Sequence, residues 1–147
     1  MDDVRYERPA PGSNVRLAIY FRPGDFEEAK AGYLADWRTQ AHAATTFTEW
    51  IGSALLRHAR RTAAERGELA RPPEPGRGAG ISRTFVVRAE TVSLVLDALD
   101  EDRDADRWYS VSAFCGEAVR IAVAEALVRA GALPTPPARL PNHLPRR

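Results

Sequence analysis

Arg16-Leu17-Ala18-Ile19-Tyr20-Phe21-Arg22-Pro23 decides how this chain is read. Residues suited to an extended strand run into a proline whose missing N–H costs nothing in a first helical turn. Sixty-six residues on, Ser82-Arg83-Thr84-Phe85-Val86-Val87-Arg88-Ala89 repeats the pattern. Alternation places Leu17, Ile19 and Phe21 on one face of the first strand and Arg16, Ala18 and Tyr20 on the other. By the same parity Ser82, Thr84 and Val86 share the outer face of the second strand.

Each strand is followed by two helical patterns. After the first, Phe26, Ala29, Tyr33 and Trp37 form a stripe on a helix expected to run to about Arg38. A loop, Thr39 to Thr45, precedes Thr46, which with Glu49 has the capping-box spacing. The helix it opens carries Phe47, Trp50, Ile51, Ala54, Leu55 and His58 at i, i+3, i+4, i+7, i+8 and i+11, and is expected to reach about Arg66. In the second half, Val92, Val95, Leu96 and Leu99 mark a helix, and Asp100 to Asp106 reads as a solvated acidic loop. The cap Ser110 then opens a last helix ending near Gly131. Its positions Val111, Phe114, Cys115, Ala118, Val119 and Ala122 align without a gap on those of the 47–58 stretch, and Gly116 aligns on Gly52.

The punctuation divides the chain. Residues 1–14 read as a flexible arm, 15–66 and 81–131 as two strand-helix-helix units, 67–80 as a linker with three prolines and three glycines from Arg71 to Gly80, and 132–147 as a disordered or polyproline-like tail with five prolines. One strand per unit leaves unpaired N–H and C=O groups, and the economical partner is the other unit's strand, antiparallel. The fifteen steps from Arg66 to Ile81 reach on the order of 50 Å, more than the ~30 Å of a twenty-residue helix. The expected fold class is α+β, mostly α: a two-stranded antiparallel ribbon packed on four helices.

Composition narrows the function. A net charge of +1 argues against a surface that coats nucleic acid broadly, yet eight arginines face three glutamates from Arg57 to Arg88, which allows a local basic face. One cysteine excludes an internal disulfide and fits a reducing compartment; there is no signal-peptide pattern and no run of ~18 apolar residues, so the expectation is a soluble, cytoplasmic protein. His42, His58 and His143 lack metal-ligand spacing, and His58, on an apolar helix face, reads as a core residue. Cys115 falls on Ile51 and reads as a small core residue. Gly76-Arg77-Gly78-Ala79-Gly80 lacks the Lys-Ser/Thr of a phosphate-binding loop. No cofactor, metal or catalytic residue is expected.

The paired strands and the Ser/Thr-capped second helices at 15–64 and 82–130 resemble the ribbon-helix-helix, or Arc/MetJ-like, DNA-binding proteins, as two tandem repeats forming a single-chain pseudo-dimer. Leu17 to Ala29 and Thr46-Phe47-Thr48-Glu49-Trp50-Ile51 also resemble the centromere-binding domains of ParB-like plasmid partition proteins. The resemblance implies double-stranded DNA as partner, read in the major groove by Arg16, Ala18, Tyr20, Ser82, Thr84 and Val86. It implies phosphate contacts at the helix N-termini Thr46-Phe47-Thr48 and Ser110-Val111-Ser112, and Arg22 and Arg88 at the strand exits are placed to flank phosphates. It further implies plasmid partition, conjugative DNA processing or autoregulatory repression, with a ParA-type ATPase as a further partner and Arg5 and Arg8 as arm arginines toward it. The competing expectation is an antitoxin or adaptor that binds a partner protein through Leu133, Leu140 and Leu144 of the tail.

Overall fold

The computed structural model describes residues 7–70 and 78–146. Strands β1 (Asn14–Phe21) and β2 (Ile81–Arg88) pair antiparallel; β1 starts one residue before the expected Val15–Phe21, and β2 is one residue longer at each end than the expected Ser82–Val87. The register sets Arg16 opposite Val86, Ala18 opposite Thr84 and Tyr20 opposite Ser82. Leu17, Ile19, Phe21, Phe85 and Val87 are buried on the opposite face. Position 83 breaks the second strand's inner pattern: Arg83 stays exposed and lies over the Phe26 ring, 5.2 Å from its centroid.

Five helices lie among the described residues: α1 (Asp25–Thr39), α2 (Phe47–Arg60), α3 (Ala63–Leu69), α4 (Ala89–Asp104) and α5 (Val111–Ala130). Pro23 is not in the first turn of α1. Gly24 adopts φ 90° as its N-cap, a left-handed conformation that suits a residue without a Cβ, and Asp25, Glu27 and Glu28 then meet the positive end of the helix dipole. Thr46 caps α2 by accepting from the Glu49 N–H at 3.1 Å, and Ser110 caps α5 from Ala113 at 3.0 Å. Gly131, at φ 80°, closes α5.

The second helix does not run on to Arg66. Thr62 accepts from the Glu65 N–H while the Glu65 carboxylate accepts from the Thr62 N–H, a reciprocal cap that starts α3 afresh and occupies the beginning of the expected 67–80 linker. Residues 71–77 of that linker lie outside the described residues.

Packing is exchanged between the halves of the chain. α1 lies chiefly on α5 and α2 on α4, while the sequence neighbours α1 and α2 touch little. β1 meets α5 and β2 meets α2 in the same way. At the centre, Phe21, Phe26, Phe47 and Phe85 pack edge to face with centroids 5.3–6.1 Å apart. Such pairs add about 0.5–1.5 kcal/mol each beyond the area they bury.

One expectation about a polar segment is corrected. The acidic stretch is not a solvated loop: Asp100 to Asp104 complete α4, and Asp102 is fully buried. Its carboxylate accepts from Nε of Arg66 at 2.9 Å, and Arg66, also fully buried, donates to the carbonyls of His58, Arg61 and Ala98. An adjoining buried cluster joins α2 to α5. Arg61 donates to Nδ1 of His58 at 2.9 Å, so the ring proton sits on Nε2 and is given to Glu117 at 2.8 Å. Arg107 donates to the same carboxylate at 2.9 Å. Burial raises the Glu117 carboxyl, but the bonds from His58 and Arg107 and the Arg107 charge outweigh it and hold it below the ordinary 4.5.

The tail is not disordered. Lys30 donates to the carbonyls of Pro137 and Ala138, Trp37 to that of Pro145 at 2.8 Å, and the Leu144 N–H to Thr45 at 2.7 Å. Leu133, Leu140 and Leu144 pack against the core. The described part of the arm is tied down as well: Arg8 pairs with Asp97, and the Gly12 N–H donates to Glu90 at 2.9 Å.

Candidate nucleic-acid interface

A two-stranded ribbon covered by helices on one face leaves the other to solvent. Arg16, Ala18, Tyr20, Ser82, Thr84 and Val86 are all exposed on that face, in three cross-strand rows. Directly opposed side chains stand about 4.5–5.5 Å apart at Cβ, so each row acts as a unit. A fourth row, Asn14 with Arg88, was missed at Asn14; carrying the alternation one step before Val15 finds it. Arg16 and Arg22 make no ion pair among the described residues, so both keep their donors for a ligand. Tyr20 leans over the end of the ribbon against Gly80, where an added Cβ would fall 2.3 Å from the tyrosine Oη. The Phe21 carbonyl oxygen would be equally close at 2.3 Å, and because it is fixed backbone only glycine fits there.

The two edges of the ribbon are treated differently. On the β1 edge, the N–H of Tyr20 donates to Oγ of Ser112 at 3.1 Å, which draws the start of α5 against the strand. On the β2 edge, no side-chain hydrogen bond among the described residues joins the start of α2 to the strand. A groove of about 630 Å³ lies there instead, with Thr46 and Thr48 on one wall and Val86, Arg88 and Thr91 on the other. Of the expected phosphate-site residues, Thr46 and Ser110 already use their hydroxyls as caps and Ser112 is bonded to Tyr20. Thr48 is exposed, whereas Phe47 and Val111 are half-buried against the core and can offer only backbone N–H groups.

The charge around this face is mixed. Arg88 stands beside Glu90, whose carboxyl is held below the ordinary range chiefly by the hydrogen bond from the Gly12 N–H. Arg83 and Arg146 are exposed cations on the flanks that strand and helix patterns did not single out. Arg83 sits at a position the alternation assigns to the core, and Arg146 reaches the groove only because the tail docks.

The remaining titratable candidates resolve into the core. His58 and Cys115 are fully buried, as their positions on apolar helix faces suggested, and burial pushes the Cys115 thiol up to about 12. Among the described residues no three His, Cys, Asp or Glu side chains are grouped to hold a metal ion, and no helix is long and apolar enough to cross a membrane. No family model, curated protein or solved structure matches the chain.

Proposed function

We propose that this chain binds double-stranded DNA in a sequence-specific manner as a single-chain ribbon-helix-helix pseudo-dimer, its two β-α-α halves acting as tandem repeats. The observation that carries the reading is the exposed ribbon face with a helix N-terminus at each edge. A ribbon of this width suits the ~12 Å major groove. Arg16 suits guanine O6 and N7, Ser82 and Thr84 suit either kind of base edge, and Ala18 and Val86 suit a thymine methyl. The two strands present different triads, so the two halves of the groove are read differently and the preferred core is non-palindromic. Several such cores repeated in one direction would let chains stack head to tail, as partition or conjugation origins require; autoregulatory repression is the third setting.

A ParA-type ATPase fits the partition setting. Arg8 would have to leave Asp97 to act on it, and Arg5 lies outside the described residues. The antitoxin reading is second, because the tail leucines it needs as anchors are engaged on the chain's own core.

Selection from random duplexes, followed by footprinting upstream of the chain's own gene, tests the proposal. The expected result is a short non-palindromic site, with Arg16→Ala relaxing one base position at a cost of ~1–3 kcal/mol. Unaltered affinity and preference in Arg16→Ala would mean that the ribbon face is not the reader.

A further inference from the structure

The groove between α2 and β2 is built from three separate parts of the chain. The start of α2 gives Thr46 and Thr48, the junction of β2 with α4 gives Arg88 and Thr91, and the tail gives Arg146. Thr91 is only 8% exposed, yet its hydroxyl has no hydrogen-bond partner among the described residues. That hydroxyl opens onto the groove, where it can bond a ligand that enters. Glu49 also lines the groove, so its two guanidinium groups face one carboxylate. Arg146 is held there by design of the tail: Trp37 fixes the carbonyl of Pro145 and Thr45 fixes the N–H of Leu144, the two residues before it. The equivalent place on the other edge is closed by the bond from Tyr20 to Ser112.

We infer that the C-terminal tail is a DNA-backbone clamp, which delivers Arg146 to a phosphodiester-binding groove on the β2 edge of the ribbon alone. The inference rests on the DNA-binding reading and adds a residue and a polarity to it. A phosphodiester lying in the groove receives charge-assisted bonds from Arg146 and Arg88 and the hydroxyl of Thr91, beside the free N–H groups at the start of α2. Among the described residues the β1 edge, where Tyr20 bonds Ser112, has no matching arm, so one chain grips its site from one side.

The test is fluorescence anisotropy of the full chain on its selected duplex across a salt series, with Arg146→Ala, Arg146→Lys and the exposed tail control Arg139→Ala. Each phosphate neutralised contributes about −0.9 to the slope of log affinity against log salt. Arg146→Ala should lower the slope by about one and weaken all duplexes alike, Arg146→Lys should restore most of the slope, and Arg139→Ala should leave it unchanged. Ethylation of duplex phosphates should interfere on one side of the contacted groove only. An unchanged slope in Arg146→Ala, with the natural chain binding normally, overturns the clamp and leaves the DNA reading standing. A natural chain that binds no duplex overturns both. Inorganic phosphate alone shifting the Thr91 and Arg146 amide resonances, with no effect of Arg146→Ala on duplex binding, would assign the groove to a small anion and also overturn the clamp.

Discussion

Glu117 shows how a single residue ties this fold to pH. Its carboxylate is shared by His58 of α2 and by Arg107 of the loop before α5, so protonation would remove the acceptor from one buried and one half-buried donor. The folded carboxyl titrates below its ordinary value of 4.5. The stability it contributes is therefore present in full above the unfolded value and is lost as pH falls through the lower, folded one. Urea midpoints measured from pH 6 to pH 3 should drop below about pH 4.5, and Glu117→Gln should flatten that part of the curve; parallel curves for the two proteins would show that another group governs acid unfolding. Sequence placed His58 in the core correctly, because an apolar helical stripe says which way a side chain points. It gave no sign of Glu117 or Arg107 as partners. A charge buried in the middle of α5 is compensated only by groups that the fold brings from elsewhere, and no local pattern encodes them.

At the level of elements, α3 is the piece held in place by carboxylates of α4: Glu101 accepts from the Ala63 N–H at 2.6 Å and pairs with Arg66, and Asp102 pairs with Arg66. This helix is seven residues long and follows a two-residue break, too short to persist by its own hydrogen bonds. Arg66 anchors it by reaching past the end of α2 to Asp102 in the last turn of α4. Asp102→Ala should cost about 3–5 kcal/mol, because it strands a buried guanidinium, whereas Arg66→Met combined with Asp102→Leu should recover most of that loss. Urea titration of the three proteins checks this; a small effect of Asp102→Ala alone would mean that water reaches the site. The cap that begins α3 was legible, since Thr62 and Glu65 have the same spacing as Thr46 and Glu49, but the basic run around it reads equally well as a continuing helix. The acidic run at 100–106 misled for a related reason. Carboxylates at a helix C-terminus oppose the dipole and argue locally for a loop, and Arg66, Arg103 and Arg107 reverse that balance only in the folded chain.

Across the whole molecule, the paired strands and their exposed face followed from alternation and from the need of each strand for a partner. The docking of the tail did not, because prolines forbid regular structure without forbidding order, and the tail is held by hydrogen bonds to Lys30, Trp37 and Thr45. The exchanged packing of the helices predicts how the halves depend on each other. A chain cut by a protease site placed in the 71–77 linker should stay associated and elute at the size of the intact protein, while either half expressed by itself should be unfolded by circular dichroism. Two halves that fold separately would refute the exchanged core.

That same exchange puts a delay into the life of every new chain. The first half leaves the ribosome with Leu17, Ile19, Phe21 and Trp50 made, while α5, which covers α1, is still to be translated. At ~5–20 residues per second, the sixty or so residues still to come take on the order of 3–12 s. For that interval the chain is an unfolded first half whose apolar side chains have nothing to cover them, a form in which a holding chaperone, or a neighbouring nascent chain at the same stage, meets it before its own second half does.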